Sequence, residues 1–269
     1  LFSRIEMMKF HKYQALGNDF VIVEDIKLTP EKARKICDRH FGVGADGVLV
    51  HYKTDSADAG MKIINSDGSS AVMCGNGLRC FFAYLVNDCG FTKTPISVET
   101  GRGILNVSYK EPLNGLSVDA ALGKPELLDG GFFEFSLAGH RCRGIGISMG
   151  NPHLVVLPQD PVDVKTARLI ADEVQLENRF GIELNVEVVT GIDIKNRMIS
   201  MVVKERGAGY TLGCGTGGAA IVEALRVDGI IHNENWSMTF PGGVADYRFE
   251  NGGIVMSGIP EKVFSGDIL

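Results

Sequence analysis

One pattern constrains this chain more than any other. Met73-Cys74-Gly75-Asn76-Gly77-Leu78-Arg79-Cys80 returns in altered form as Gly213-Cys214-Gly215-Thr216-Gly217-Gly218. Each copy sets a cysteine directly before a glycine-rich turn, and each turn runs into an apolar stretch with helical spacing. A helix start carries backbone N–H groups without intrahelical partners and the positive end of the dipole. A thiol placed there is expected to ionise more readily than a free one. The glycines let backbone approach a ligand, and their N–H groups suit a carboxylate.

The repeat extends beyond the turns. Cys74 and Cys214 lie 140 residues apart, and at that offset Met61-Lys62-Ile63-Ile64-Asn65 falls on Met201-Val202-Val203-Lys204-Glu205. Ser97 to Gly103 falls on Ser237 to Gly243 in the same register. With small shifts, Phe41-Gly42-Val43 meets Phe180-Gly181-Ile182, and Val48-Leu49-Val50 meets Glu187-Val188-Val189. Gly17-Asn18 meets Gly150-Asn151, each followed by an apolar strand. Drifting offsets with constant order are the mark of a duplicated unit with loop insertions. The expected fold is therefore mixed α/β (α+β), in two pseudo-symmetric domains. Each is a curved, mainly antiparallel sheet or barrel around a central Cys-bearing helix, with the active site in the cleft between them. The expected boundaries are 8–118 and 119–269, with the last residues able to return to the first domain. Thr29-Pro30-Glu31 reads as a helix start, Thr capping and Pro in the first turn. Asp163-Val164-Lys165-Thr166 opens its counterpart.

Composition excludes several function classes. With 27 Lys and Arg against 33 Asp and Glu, the formal charge is −6, and no basic cluster marks a nucleic-acid groove. No apolar run is long enough to span a bilayer. Leu1–Glu6 shows no signal-peptide apolar region and is expected to precede the domain proper, which starts at Met7 or Met8. The six cysteines show no CxxC spacing, so neither a disulfide framework nor a zinc site is expected. Cys37, Cys80, Cys89 and Cys142 read as packing thiols in a reduced, cytoplasmic protein.

Two activated thiols suit one kind of chemistry in particular. Inverting an amino-acid α-carbon means removing a proton from one face and returning one to the other. A thiolate and a thiol on opposite sides suffice, and they exchange roles for the reverse substrate. Amide groups after each cysteine can stabilise charge building on the substrate carboxylate. No pyridoxal-phosphate lysine signature, Walker A motif or GxGxxG after a strand is present, so no cofactor and no metal are expected.

MCGNGLRC, ERGAG followed by CGTG, GNDF, FGVGADG and Asn151-Pro152-His153 together resemble diaminopimelate epimerase from about Met8 to the end. That resemblance implies cofactor-independent interconversion of LL- and meso-2,6-diaminopimelate in lysine and peptidoglycan-precursor synthesis. It implies Cys74 and Cys214 as the acid–base pair, with His153 and Glu205 as the polar pair near them. It implies substrate binding by Asn18, Asn65, Gly75, Asn76, Asn151, Asn185, Glu205, Arg206, Gly215 and Thr216. An Arg can clamp a distal carboxylate, and Asn side chains both donate and accept. Two positions depart from the family pattern: Tyr210 stands where Glu is usual, and Gly47 where some members have Gln. The expected partners are small-molecule diaminopimelate and, at most, a second copy in a homodimer. Competing readings are a racemase or epimerase of another amino acid on the same scaffold, such as histidine or a diaminopimelate analogue, and a non-enzymatic thiol redox sensor. Asp46 and Asp67 read as turn formers.

Overall fold

The computed structural model describes residues 7–24, 27–110, 116–177 and 184–268. Leu1–Glu6 and the expected Phe180-Gly181-Ile182 repeat element lie outside the described residues. The chain divides into two compact units, residues 1–120 with 258–269, and residues 121–257.

In the first unit β1 (Met8–Ala15) turns into β2 (Asn18–Val23) through Leu16 and Gly17, both at positive φ. Two positive-φ residues make the turn that matches strand twist in a tight hairpin. α1 (Pro30–Cys37) follows, capped by the Thr29 hydroxyl accepting from Lys32 N–H at 3.3 Å. Next come β3 (Gly47–Tyr52), β4 (Ala59–Asn65), the short β5 (Ser70–Ala71), α2 (Gly75–Asn87), β6 (Ile96–Thr100), β7 (Gly103–Lys110) and β8 (Ser117–Gly123). β2 pairs β3 parallel and β4 pairs β6 parallel; the other neighbouring pairs are antiparallel.

The second unit repeats this series. It runs through β9 (Glu126–Leu137), β10 (His140–Ser148), β11 (Pro152–Pro158), α3 (Val164–Glu177), β12 (Asn185–Asp193) and β13 (Met198–Glu205). Then follow β14 (Gly209–Tyr210), α4 (Gly215–Val227), β15 (Trp236–Phe240), β16 (Gly243–Glu250) and β17 (Gly253–Gly258). β11 pairs β12 parallel and β13 pairs β15 parallel, again among antiparallel neighbours. The last strand, β18 (Glu261–Ile268), returns to the first unit and pairs β1 antiparallel.

Each sheet is covered on both faces, which explains its near-continuous apolar strands. In the first unit Val21, Val23, Val48, Val50 and Ile64 pack with Ala33 and Ile36 of α1. In the second, Leu154, Val156, Val186 and Val188 pack with Ala167, Ile170 and Ala171 of α3. The opposite face receives the Cys-bearing helix. Residues Asn76 through Leu85 of α2 are all buried, as are Gly217 through Leu225 of α4. A helix buried over so many consecutive positions is hidden on every side, so the sheet wraps around it. Among the described residues no helix is long and apolar enough to cross a membrane.

Close approach explains one glycine of α4. A Cβ on Gly218 would lie 2.2 Å from the Tyr247 hydroxyl oxygen, which itself donates to the Gly215 carbonyl at 3.1 Å. Helix propensity alone would favour Ala here by about 1 kcal/mol. Overpacking costs about 1–3 kcal/mol and wins. Gly218→Ala is therefore expected to destabilise the protein by about 1–2 kcal/mol in denaturant unfolding. A neutral or stabilised variant would contradict the close-packed helix.

Candidate active site

Both turn cysteines are helix N-caps. Cys74 has extended backbone (φ −145°, ψ 119°), and its sulfur accepts from the Gly77 N–H at 3.4 Å. Cys214 has nearly the same backbone (φ −116°, ψ 109°), and its sulfur accepts from the Gly217 N–H at 3.4 Å. The thiol thus takes the place that Ser or Asp usually fills, satisfying one orphan donor of a buried helix.

In the first unit, the Cys74 thiol faces Asn18 Oδ1 at 3.8 Å. Asn18 is held by Asp46, whose carboxylate accepts from Asn18 Nδ2 at 2.8 Å and from the Asp19 N–H at 3.1 Å. Arg39 donates to both Asp19 and Asp46 at 2.8 Å, and Lys12 lies 2.9 Å from Asp19. Burial alone would push the Asp19 carboxyl up; hydrogen bonds from Arg39 and Lys12 hold it below the usual range instead. Asp46, expected only as a turn former, braces Asn18 so that its amide oxygen is turned to the sulfur. Gly75 and Asn76 open α2, and the Asn76 carboxamide accepts from Arg79, which is fully buried. Arg79 also donates to the Gly75 carbonyl at 3.3 Å, which ties the first turn together. Asn65 ends β4 opposite Gly47 and donates to Ser69 Oγ at 2.9 Å.

The second unit brings together more of the expected residues. His153 and Glu187 are fully buried and joined by a 2.7 Å contact from Nδ1 to Oε1. One ligand-type atom each of His153, Glu187 and Cys214 lies within 4.8 Å of the others. Glu205 ends β13, accepts from the Thr211 hydroxyl at 2.5 Å, and is also hydrogen-bonded by Cys214. Burial pushes its carboxyl above the usual range against those bonds. The Thr216 hydroxyl lies 3.5 Å from the Cys214 sulfur and accepts from Asn151 Nδ2 at 3.4 Å. Gly215 is buried at the start of α4. Asn185 is buried, and its side-chain oxygen accepts the Arg206 N–H at 2.9 Å, fixing that backbone while the Arg206 side chain is exposed.

One expectation is corrected. A helix start was expected to make both thiols more acidic, but the Cys214 thiol is pushed well above its ordinary range. Burial is the main cause, followed by the charges of Glu205 and Glu187; the bonds from Thr216 and Gly217 N–H oppose them and lose. Cys214 therefore rests as the protonated thiol. Of the four cysteines expected to pack, Cys37, Cys80 and Cys142 are buried and Cys89 is half-buried.

Glu187 was missed by sequence reasoning. The repeat set it opposite Val48 and gave it no role; strand pairing puts it level with Leu49 instead, an acid between Val186 and Val188 in a strand covered on both faces. Tyr210 directs its hydroxyl to the Arg168 carbonyl (2.7 Å) and Asp172 (2.8 Å), so its side chain lies on α3. Glu24, His51 and Cys89 form a second cluster of ligand-type atoms, but the Tyr84 hydroxyl bonds Glu24 at 2.6 Å and lies 3.3 Å from His51 Nδ1. Protein hydrogen bonds already tie each cluster together, His153 Nδ1 to Glu187 in one and the Tyr84 hydroxyl to Glu24 in the other.

The family model described as diaminopimelate epimerase matches residues 10–128 and 145–263. A diaminopimelate epimerase of Desulfitobacterium hafniense is 35% identical, covering 98% of each chain. The chloroplastic diaminopimelate epimerase of Oryza sativa subsp. japonica is 35% identical over 96% of this chain and 79% of its own length. Among solved structures, a Bacillus anthracis phenazine biosynthesis protein of the PhzF family superposes with a TM-score of 0.75 at 15% identity, covering 98% of this chain and 100% of that one. A hydroxyproline epimerase from Agrobacterium vitis gives 0.69 at 13% identity, covering 97% and 91%. These two share the fold. Sequence identity along essentially the whole chain, with a family model matched in both halves, places this chain in the diaminopimelate epimerase family.

Proposed function

We propose that this protein is an isomerase that interconverts LL- and meso-2,6-diaminopimelate, on the route to lysine and peptidoglycan precursors, with Cys74 and Cys214 as the two acid–base groups. One observation carries the reading. In a chain of this family, each unit builds a cysteine as the N-cap of its most buried helix, with a glycine three residues on giving its N–H to the sulfur. A packing thiol has no need of that position, and the remaining cysteines do not occupy it.

The chemistry follows from the surroundings of each sulfur. The α-proton leaves to a thiolate, the electron pair spreads onto the substrate carboxylate, and a thiol on the other face returns a proton. Cys214, held neutral by burial and two carboxylates, is the resting donor. Cys74 faces the Asn18 amide oxygen. Helix-start amides at Gly75 and Asn76, and at Gly215 and Thr216, suit the reacting carboxylate. Asn18, Asn65, Asn151, Asn185 and Arg206 are the candidates for gripping the rest of a substrate with two amino-acid ends. Glu205 and His153 are the candidates to exchange protons with Cys214 or to meet the reacting ammonium.

Replacing either cysteine by alanine is expected to lower epimerisation of diaminopimelate by about 10²–10⁴-fold, with the fold intact by circular dichroism. Wild-type turnover in either variant removes that sulfur from the mechanism. The ionisation order makes a second expectation. A thiol pushed up by neighbouring carboxylates gives thiolate only as pH rises, so removing one carboxylate moves its ionisation down. In Glu205→Gln the ultraviolet thiolate signal that depends on Cys214 should appear at lower pH than in the parent protein. An unchanged or higher midpoint contradicts the electrostatic account.

A further inference from the structure

The internal duplication supplies its own control for the polar pair beneath α4. In the first unit the parallel pair β2–β3 sets Phe20 against Gly47, so Leu49, two residues on, shares the face of Phe20. In the second unit β11–β12 sets His153 against Asn185, so Glu187 shares the face of His153. His153 and Glu187 therefore stand where Phe20 and Leu49 stand in the other copy. The helices above confirm the match. A Cβ on Gly77 would meet Leu49 at 3.3 Å and Phe20 at 3.4 Å, and a Cβ on Gly217 would meet Glu187 Oε1 at 2.5 Å. The fold thus fills this place with Phe and Leu in one unit. It has no need of a buried acid and imidazole in the other.

Such a pair is costly to bury, and replacing one by apolar residues is often neutral or stabilising. It is also incompletely satisfied. Among the described residues His153 Nε2 and Glu187 Oε2 are buried without a hydrogen-bond partner, whereas buried polar atoms are nearly always paired. A carboxylate can only accept, so the 2.7 Å contact makes Nδ1 the donor and leaves Nε2 with the lone pair.

We propose that Glu187 is a positioning residue that holds His153 in the Nδ1–H tautomer, so that Nε2 is the ring atom open to take the proton of the Cys214 thiol, whose sulfur lies within 4.8 Å of one ring nitrogen. In that step the S–H bond breaks, an N–H bond forms at Nε2, and the imidazolium lies against the Glu187 carboxylate. Among the described residues the charged or titratable groups beside it are Glu187 from β12, Glu205 from β13 and Cys214 from α4. This inference rests on Cys214 being an acid–base group, and it adds how the buried thiol becomes a thiolate.

The test is nitrogen-15 spectroscopy of histidine-labelled, reduced wild-type protein at neutral pH, with His153 assigned from the His153→Gln variant. The expected spectrum has the proton on Nδ1 and an unprotonated Nε2. A proton on Nε2 with a bare Nδ1 overturns the proposal, and this reading needs no Glu187 variant to fold. Glu187→Gln should then lower kcat by about 10–100-fold, change KM by less than about threefold, and disturb the Nδ1–H signature. Unchanged kcat with unchanged spectrum also overturns it. The double variant His153→Phe/Glu187→Leu, which copies the first unit, should melt at or above the wild-type temperature while losing activity. A large fall in its melting temperature would make the pair a requirement of the fold and contradict the inference. If wild-type protein fails to exchange the α-hydrogen of diaminopimelate, the functional reading fails, while the tautomer assignment stands or falls on its own spectrum.

Discussion

Everything in each unit is arranged around a helix that has no solvent-facing side. Such a helix has first amides that lack intrahelical partners and must be directed at something else. Here the cap is a sulfur, and the strands beneath approach closely enough that the position three residues later is a glycine. Sheet, glycine and thiol are therefore one constraint. A wrapped sheet demands a buried helix, the buried helix demands a cap, and a cysteine cap places a titratable atom at the end of a rigid element. The same two-parallel-pair strand order occurs in both units because it is the order that wraps a helix in this way.

Burial also decides the ionisation of that atom. A helix start favours negative charge by about 1 kcal/mol in exposed settings, whereas desolvating a thiolate beside carboxylates disfavours it by more. At Cys214 desolvation wins, and the Gly217 N–H and Thr216 hydroxyl only moderate it. This suits a reaction that needs one sulfur with a proton and one without. It also gives a role to the polar groups on the α4 face of the second sheet. His153 and Glu187 pair close to the Cys214 sulfur and Glu205 is bonded to it, while the first copy of the fold sets Phe20 and Leu49 beneath its helix.

Much of this was legible in the sequence because duplication makes signal visible. The cysteine–glycine turns, the Thr29-Pro30 helix start and the strands ending at Asn65 and Glu205 could each be read from local pattern, since period and capping chemistry are short-range properties. The family was legible because several motifs occur in the right order. What stayed hidden depends on three-dimensional neighbours. Glu187 looked like one more residue in a β-branched run until α4 was laid over it. Asp46 looked like a loop residue until its carboxylate was found on Asn18. The direction of the Cys214 shift was misjudged because the helix start is visible in sequence, while the burial that outweighs it, and the carboxylates of β12 and β13 that add to it, come only with the tertiary structure. The return of β18 to pair β1 is a long-range closure that no local pattern encodes.

The central claim is that two separate sulfurs, each drawing on its own proton, invert one carbon. The most direct measurement is the first turnovers of LL-diaminopimelate in deuterated water with reduced wild-type protein. Product meso-diaminopimelate should carry deuterium at the inverted carbon, delivered by a thiol already equilibrated with solvent. Recovered LL-substrate at low conversion should remain unlabelled. Product that keeps its original hydrogen, or substrate that gains deuterium as fast as product forms, would mean that a single group serves both faces and would contradict the account.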